Sequence, residues 1–406
     1  MVAPRKASST VSFIDDYCEC YKSLFPEVRS FEAFKHIQLG MISDIKRKTL
    51  PAIAKLVGLP NAQGLHHFIS NSPWEVVLFR RKRLELILAA LQGEKVFLLI
   101  DDTGDRKKGA RTDYVQRQWI GNLGKVENGI VAVTAYAVVR DMTIPLIFEV
   151  FKPKSRLKDG DVYQTKTQIA ALMVAELKKL GCQFKLVIAD SLYGESECNF
   201  INYMSGLKQD YLVATRSNHG LWISDPEKAI FKEWKEFDRI FSNGKITKRY
   251  IIEIIRQAQS KNNKTQRYWQ ITSDKDNLPD NSTWYVMSNN KRLICKEVGN
   301  LYGQRNWVEY GLKQSKNELG WADFRLTSYA DIEKWWELVC SAYLMISLHS
   351  HQLENKIDNA DLKQKSGAVN ILSEHQDWDT GMGWKNILNN CRLILSPWLF
   401  LNQIKK

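Results

Sequence analysis

Two apolar runs, the second interrupted only by Lys185 and each followed by aspartate, constrain this 406-residue chain more than any other feature. Residues 96–100 precede Asp101 and Asp102, and residues 184–189 precede Asp190. Continuous apolar runs of this length are typical of strands that are buried on both faces of a sheet. A residue that follows such a strand lies at the edge of the sheet, where polar groups can meet. The chain therefore predicts an α/β fold with acidic side chains at its strand ends.

The order of the other elements supports that prediction. Residues 129–139 and 144–150 are β-rich, and a helix is predicted from about 165 to 180, just before the second apolar run. After Asp190 the pattern changes to short strands separated by polar loops, at 211–215, 249–255, 268–272 and 283–287. We interpret residues 209–296 as a β-rich insertion, and residues 1–92 as helical.

The helical N-terminal part offers two interpretations. Residues 50–59 and 64–69 predict two short helices around a tight turn. This pair is either a helix-turn-helix that reads a major groove or two packed helices of a small bundle. A further helix, through residue 91, is predicted to begin at Ser72-Pro73-Trp74-Glu75, with serine as N-cap and proline at the first helical position.

A polar stripe runs along a predicted helix at residues 301–321. At helical spacing one narrow face carries Tyr302, Arg305, Glu309, Lys313 and Lys316. The adjacent apolar seam consists of Leu301, Val308, Leu312 and Leu319. Glutamate and lysine at this spacing are usually a solvated face. A carboxylate set among cations on an anchored helix also suits a metal ligand beside phosphates.

The charge of the chain indicates its class of partner. The formal net charge is +13 and the isoelectric point is near 9.2, which favours a polyanion. The 13 tryptophans and 15 tyrosines include flat faces on which bases can stack. The chain has no glycine-rich phosphate loop and no nucleophile elbow, and its seven cysteines have no metal-binding spacing, which predicts free thiols. The start lacks the apolar core of a signal peptide. The most apolar run, 335–348, is too short to cross a bilayer, so a cytoplasmic protein without a membrane partner is expected.

The spacing Tyr302-x2-Arg305-x3-Glu309-x6-Lys316 resembles the Y-R-E-K signature of a subgroup of bacterial insertion-sequence transposases. These are DDE enzymes with a ribonuclease-H-like core. Residues 101–133 also resemble the segment after the first aspartate in the insertion-sequence-701-like family, and similarity runs intermittently from about 65 to 348.

The resemblance implies a ribonuclease-H-like mixed sheet flanked by helices, with a β-rich insertion and an all-α N-terminal domain. The expected domains are a helical DNA-binding domain at 1–92, a first core part at 93–208, the insertion at 209–296, a second core part with the catalytic helix at 297–350, and a helical tail at 351–406.

The resemblance also implies that Asp101, Asp190 and Glu309 are the catalytic residues. Three converging carboxylates can hold two Mg²⁺ ions by oxygen alone, and Mn²⁺ is expected to substitute. Because side chains alternate along a strand, only one of Asp101 and Asp102 can face the metals. Asp101 is favoured, and Asp102 remains the alternative.

The remaining site residues are expected to contact DNA. The resemblance gives Tyr302, Arg305 and Lys316 phosphate-contacting roles, and Lys313 lies on the same stripe. Cations just past the first aspartate are expected to neutralise phosphates, namely Lys107, Lys108 and Arg111. In relatives an insertion-domain tryptophan can stack on a flipped base, and Trp269 and Trp284 are the candidates here.

These observations predict a cut-and-paste DNA transposase in the bacterial cytoplasm, associated with the nucleoid. It would bind terminal inverted repeats on double-stranded DNA, cleave the transposon ends and join them to target DNA, as a homodimer on DNA. Two alternatives stay open. One is a metal-dependent nuclease on the same core, and the other is a non-catalytic DNA-binding protein derived from a transposase.

Overall fold

The computed structural model describes residues 5–139, 142–217, 230–231, 233–241, 244–255, 266–349, 375–381 and 383–404. Two compact units divide the chain. The helical unit consists of Met1–Gly93, Lys107–Val115 and Gly311–Lys406, and the sheet unit of Glu94–Arg106 and Gln116–Tyr310. The five-domain division expected from the sequence stays a prediction.

The helical unit begins with five helices. They are α1 (Ser12–Glu19), α2 (Val28–Ile42), α3 (Leu50–Leu56), α4 (Gln63–Ser70) and α5 (Val76–Leu91). The two short helices predicted around a turn are α3 and α4. Thr49 caps α3 by accepting a hydrogen bond from the backbone N–H of Ala52, and proline occupies the first turn.

Helix α5 begins later than the sequence predicted, and this prediction was wrong. Its N-cap is Glu75, not Ser72. Ser72 instead bonds the Ser30 hydroxyl at 2.8 Å, and the buried Trp74 donates its indole N–H to the Phe68 carbonyl at 2.8 Å. These tertiary contacts hold residues 72–75 as a connection in which Ser72 and Trp74 are buried, and the helix starts after it.

The C-terminal part of the chain adds long helices to the helical unit. In the structure α11 (Tyr329–Leu348) packs against α2, α4, α5 and the last helix, α12 (Trp384–Ile404). Its inner face is fully buried, including Trp335 and Trp336. Part of the predicted tail, residues 351–374, lies outside the described residues.

The sheet unit is built on one mixed sheet with eleven strands in the described part of the chain. They are β1 (Val96–Arg106), β2 (Gln116–Ile120), β3 (Lys125–Val139), β4 (Met142–Val150), β5 (Phe184–Ala189), β6 (Tyr211–Thr215), β7 (Ile230–Phe231), β8 (Lys235–Ile240), β9 (Ile246–Ile255), β10 (Arg267–Thr272) and β11 (Trp284–Ser288). The main path runs β2-β3-β1-β5-β6-β11-β10-β9-β7; β4 pairs with β3, and β8 with β9. Strands β1, β5 and β6 are parallel, and the other pairs are antiparallel.

The predicted insertion strands are present and continue this sheet. Strand β11 pairs with β6, and β10 and β9 follow outward. The sequence did not predict β7 or β8. Strand β8 has four charged residues, with Phe237 and Ile240 as its apolar ones, a composition typical of a polar loop. Its strand conformation depends on pairing with β9.

Helices α6 (Lys166–Lys179), α7 (Ser191–Gly194) and α9 (Cys295–Gly303) pack against the sheet, and α8 (Asn202–Gly206) packs against the helical turn at Glu197–Ile201. Helix α6 matches its prediction closely, because a capping box fixes its start. The Thr165 side chain accepts from the Gln168 backbone, and the Gln168 side chain accepts from the Thr165 backbone.

The predicted single helix at 301–321 is broken, and that prediction was wrong. Helix α9 ends at Gly303 and α10 (Asn306–Asn317) begins three residues later. Between them the backbone turns through shorter i→i+3 bonds, such as Arg305 N–H to Tyr302 O at 3.0 Å and Val308 N–H to Arg305 O at 3.1 Å. Tyr302 therefore lies on α9 and Glu309 on α10, with Arg305 in the connection.

Two further expectations concern the cysteines and membrane-spanning helices. Each of the seven cysteines is free. Among the helices of the described residues, none is both long enough and apolar enough to cross a membrane.

Candidate active site

The sheet register brings the first two predicted aspartates together. Strands β1 and β5 run parallel, with Ile100 opposite Ala189. The next residue on each strand is Asp101 and Asp190, so both carboxylates leave neighbouring strands at the same level. Ligands meet the carboxyl ends of parallel strands for this reason.

Asp101 lies inside its strand, not at the strand end that the sequence predicted. Strand β1 continues to Arg106 because β3 pairs with it along that whole stretch, with Asp101 opposite Thr134. Only the parallel partner β5 stops at Ala189. One oxygen of Asp101 accepts from the Asp102 backbone N–H at 2.9 Å, and the other is directed to Arg305. Its position is therefore fixed on both sides.

Asp190 divides its two oxygens between structure and site. It is the N-cap of α7, and Oδ1 accepts from the Leu192 backbone N–H at 2.9 Å. Oδ2 lies 3.9 Å from Nη2 of Arg305. Asp190 therefore caps α7 with one carboxylate oxygen, and its other oxygen is directed at Arg305.

The Arg305 guanidinium lies among all three predicted acidic residues. Nη2 is 3.3 Å from Oδ2 of Asp101, and Nη1 is 3.6 Å from Oε1 of Glu309, in addition to its contact with Asp190. Its Nε is buried and has no hydrogen-bond partner within the described residues. A single cationic group therefore reaches the three carboxylates, which come from β1, the end of β5 and α10.

The three carboxylates differ in exposure. The side chain of Asp101 is 13% exposed, that of Asp190 33% and that of Glu309 63%. Among the described residues, no three acidic, imidazole or thiol groups are close enough to form a ready-made metal site. Glu309 is thus the most solvent-exposed of the three carboxylates.

The raised pKa values of the clustered carboxyl groups indicate that added positive charge would stabilise their ionised forms. Burial raises the pKa of Asp101 to about 7, and Asp190 and Asp102 add to the shift while Arg305 opposes it. Burial also raises the pKa of Asp190, and the positive charge of Arg305 again opposes the shift. Burial alone would lower the pKa of Arg305, but its acidic neighbours raise it. The carboxylates stay only partly neutralised by one arginine.

Asp102 has a different partner. Its carboxylate pairs with the ammonium of Lys166, the first residue of α6. Alternation along β1 turns neighbouring side chains to opposite faces, so this pairing leaves Asp101 as the residue directed to Arg305. Lys166 was not among the predicted site residues, because it lies 64 residues from Asp102 and belongs to no recognisable motif.

Tyr193 is a second site residue to which the sequence assigned no role, although it lies in the segment that follows Asp190. Its side chain is fully buried, and its hydroxyl has no hydrogen-bond partner among the described residues. Burial raises the pKa of Tyr193 far above its usual value, and Asp102, Asp101 and Asp190 raise it further. The signal was available, since Tyr193 follows Asp190 within the same short turn.

The predicted phosphate contacts fall in several places. Burial raises the pKa of Tyr302 to about 12, and this tyrosine lies near Arg305 in the sheet unit. Lys313 and Lys316 follow Glu309 on α10 but belong to the helical unit, which resumes at Gly311. Lys313 is exposed and Lys316 is half-buried.

The basic segment after β1 also belongs to the helical unit. There Lys108 and Arg111 are exposed, while the Lys107 ammonium lies 3.4 Å from the centre of the Phe324 ring.

The two candidate tryptophans differ sharply. Trp269 is 0% exposed, with the Arg267 guanidinium over its ring, so no base can stack on it without opening the sheet. Trp284 is 41% exposed, and although the Arg249 guanidinium lies over its ring at 5.8 Å from the centre, part of the ring stays accessible.

Comparison with known proteins decides the family. A family model described as DDE superfamily endonuclease matches residues 22–235, over half of the chain. The chain is also 55% identical over 363 residues to the probable transposase for insertion sequence element IS701 of Microchaete diplosiphon, covering 87% of this chain and 94% of that protein. The chain is a DDE transposase of the IS701 type. A solved piggyBac transposase synaptic complex with hairpin DNA aligns with 97% of this transposase and 78% of its own chain, at a TM-score of 0.44 and 10% identity.

DDE transposases cleave and join DNA and depend on divalent metal ions, and the residues of this transposase fit such ions. The donors are all carboxylate oxygens, which hard divalent cations prefer. The raised pKa of Asp101 and the guanidinium held between the carboxylates both mark a place suited to a cation. Asp101, Asp190 and Glu309 are the residues that could hold it.

Proposed function

We propose that this transposase binds terminal inverted repeats and carries out Mg²⁺-dependent strand cleavage and strand transfer in cut-and-paste transposition. Asp101, Asp190 and Glu309 are its metal ligands. The observation that carries the proposal is the contact of one guanidinium, that of Arg305, with all three carboxylates. Residues more than 200 positions apart in sequence converge on that group.

Each carboxylate has a separate positional support. The pairing of β1 with β3 and β5 supports Asp101, and the N-cap bond to α7 supports Asp190. Glu309 sits in the first turn of α10, where the backbone N–H groups favour a negative side chain. Its exposure leaves it free to adjust when substrate and metal enter.

Two Mg²⁺ ions held by these carboxylates would activate the attacking water or 3′-hydroxyl and offset charge on the leaving oxygen. Mn²⁺, which also accepts oxygen ligands, is expected to substitute. The protein's own contribution is to align the carboxylates and to hold the strand. Arg305 is suited to that second task because a guanidinium can grip a phosphate by two parallel hydrogen bonds.

The other DNA contacts follow from charge and exposure. Tyr302, Lys313 and Lys316 accompany Glu309 along α9 and α10. The exposed Lys108 and Arg111, together with Lys107, form a basic segment after β1. We propose that these residues neutralise backbone phosphates, and that Trp284, rather than the buried Trp269, offers a face to a base.

The order β4-β3-β1-β5-β6 supports a ribonuclease-H-like core. Its first three strands in sequence are antiparallel neighbours, and the next two add in parallel after α6 and the short α7–α8 segment. Such a core would extend to Thr215, past the boundary predicted at residue 208. We further propose an all-α N-terminal DNA-binding domain, and a homodimer on DNA that acts on two transposon ends at the bacterial nucleoid, in the cytoplasm.

Strand transfer with wild type and Glu309→Gln tests the proposal. The substrate is DNA carrying the inverted repeats that flank the coding region, with Mg²⁺ and a supercoiled target plasmid. Wild type should cleave and join the ends, and the variant should bind them without joining, because an amide cannot replace the ligand charge.

The matched control is Glu297→Gln, the same change at an exposed position on α9. It should retain wild-type activity. Equal joining by wild type and Glu309→Gln would rule out Glu309 as a catalytic ligand. A wild type that cleaves but never joins ends would instead favour the nuclease alternative.

A further inference from the structure

A cleft of about 640 Å³ opens beside the catalytic carboxylates, entirely within the sheet unit. Asp190, Tyr302 and Arg305 line it together with Arg239, Arg249 and other residues of the extended sheet. The volume is in the range of sites that accept small organic ligands. The cleft therefore links the site to a surface that the proposed mechanism has not used.

The register of the hairpin β8–β9 places two arginines on one face. Arg239 pairs with Thr247, and Phe237 with Arg249. Arg239 and Arg249 are thus diagonal neighbours on the same side of two antiparallel strands, within reach of long side chains. Burial lowers the pKa of Arg239, and the charge of Arg249 lowers it further, as expected when two cations approach each other.

Neither arginine has a carboxylate partner within the described residues. The hydrogen bonds of Arg239 go to the carbonyl oxygens of Gly299 and Asn300 and to the Asn300 side chain, each at 3.4 Å, and its guanidinium also lies 5.2 Å from the centre of the Phe241 ring. Nη1 of Arg249 is buried and has no hydrogen-bond partner there, and the buried Thr247 hydroxyl on the same face has none. Buried polar groups are normally satisfied, so these donors are arranged for an acceptor that the chain itself does not supply.

The Arg239 side chain packs closely against a glycine of α9. Gly303 lies at the end of α9, and a Cβ there would come within 1.5 Å of Nη1 and 1.8 Å of Cζ of Arg239. One turn earlier, Gly299 makes the same room for the Phe237 ring. The absence of side chains at these two positions lets β8 pack its arginine flat against α9 and direct it into the cleft.

We propose that Arg239 and Arg249 bind backbone phosphates of the DNA strand that runs from the catalytic carboxylates through this cleft. The inference rests on the proposed function, and it assigns the path of the strand within the site. A strand carries one phosphate per nucleotide, and two guanidinium groups on one face can grip two of them by charge-assisted hydrogen bonds. Asp280 is the only other carboxylate lining the cleft besides Asp190 among the described residues, and it is exposed.

The test measures binding alone, without chemistry. Fluorescence anisotropy with end-bearing DNA in EDTA gives the affinity of wild type and of Arg239→Gln/Arg249→Gln at several salt concentrations. The double variant should bind at least about tenfold more weakly at low salt. The plot of log K against log salt concentration should become less steep by roughly 1.8. Each phosphate contact releases about 0.9 counterions, and the double variant loses two contacts.

Two further variants separate a specific contact from general charge. Lys208→Gln/Arg292→Gln removes the same charge from two exposed positions of the sheet unit, and its slope should stay near that of wild type. Gly303→Ala keeps every charge but displaces the Arg239 guanidinium, so it should weaken binding severalfold with an unchanged melting temperature.

The outcomes are distinct from those of the strand-transfer test. If both double variants lose affinity and slope equally, or if Gly303→Ala binds as wild type does, the assigned strand path is wrong even when Glu309→Gln abolishes joining. If the arginine variants bind weakly while wild type never joins DNA, the cleft contact stands and the transposition chemistry fails. The Gly303→Ala result decides the question on its own if Arg239→Gln/Arg249→Gln does not fold.

Discussion

At the scale of single residues, the pairing of Asp102 with Lys166 separates two neighbouring carboxylates. Asp101 is directed to Arg305, whereas Asp102 has its own cation. We predict that Asp101→Asn loses strand transfer by about a thousandfold or more, because a ligand supplies several kcal/mol to the transition state. Asp102→Asn should lose about 10- to 100-fold, as expected for a supporting residue. Single-turnover joining rates measure both variants, and the reverse order would make Asp102 the ligand.

Arg305 leads to a second prediction at this scale. Its guanidinium lies 3.3 Å from Asp101 and 3.9 Å from Asp190, so it competes for the negative charge that a metal needs. Arg305→Gln should therefore bind Mn²⁺ about tenfold more tightly without DNA, which corresponds to one pKa unit of interaction. Strand transfer should fall in the same variant because the phosphate grip is lost.

Calorimetric titration with Mn²⁺ in DNA-free buffer checks the first half of that prediction, and joining assays check the second. Arg292→Gln, an exposed arginine of the sheet unit, is the control and should change neither. Weaker Mn²⁺ binding by Arg305→Gln would mean that the arginine organises the carboxylates rather than competing for them.

The three acidic residues that meet at Arg305 could be named from the sequence because each carries a local signal. Two follow apolar strands and one lies in a spaced motif. The choice between Asp101 and Asp102 could not be settled in the same way. The strand alternation says only that they face apart, and Lys166, whose pairing with Asp102 favours Asp101, is distant in sequence and carries no motif of its own.

At the scale of elements, the short helix α7 determines the direction of Asp190. Gly194 ends it directly against β6, where a Cβ would come within 1.8 Å of the Ala214 carbonyl oxygen. We predict that Gly194→Ala lowers the free energy of unfolding by about 3 kcal/mol, because overpacking against backbone cannot be relieved by a side-chain rotation. Urea unfolding midpoints measure the change.

Gly206→Ala is the matched control for that variant. It is also a helix-terminal glycine, but a Cβ there meets nothing within 4 Å. Its effect should stay within about 1 kcal/mol and favour folding, since alanine loses less backbone entropy. Equal stability of the two variants would show that α7 can shift on β6.

Elements were predictable where their signals are local. Helix α6 has a complete capping box, and its limits match the prediction almost to the residue. The start of α5 and the α9–α10 break were predicted wrongly because other contacts override the helical preference of the sequence there. Trp74 holds the connection before α5 in the core, and shorter backbone bonds around Arg305 interrupt a sequence whose periodicity suits one helix.

At the scale of the whole molecule, both units are assembled from distant segments, which local patterns do not reveal. The helical unit joins the N-terminal helices to α11 through a buried ion network. Glu337 is fully buried and bonds Arg80 at 2.6 Å and Arg83 at 2.9 Å, and Arg83 is itself fully buried. The boundary predicted at residue 92 passes between these partners.

Glu337→Gln tests how far the helical unit depends on that network. A buried ion pair is not in itself strong evidence of stability, but removing one partner leaves the other charge uncompensated. Both arginines would lose their shared carboxylate, but Arg80 keeps its 2.7 Å pair with Glu333, so we predict a loss of about 3 kcal/mol in the free energy of unfolding at pH 7, the lower end for such a removal. Glu85→Gln, which breaks the exposed pair with Arg81, should change it by at most about 1 kcal/mol.

The pH dependence identifies the carboxylate as the cause. Burial alone would raise the pKa of Glu337, but Arg83 and Arg80 outweigh burial and hold it below its usual value. Such a group contributes its stability above its unfolded pKa of about 4.3 and loses it as pH falls through the lower folded pKa. The difference in unfolding free energy between wild type and Glu337→Gln should thus be full at pH 6–7 and shrink progressively below about pH 4. A difference that stayed constant down to pH 3 would assign the loss to altered packing instead of to the charge that joins α5 to α11.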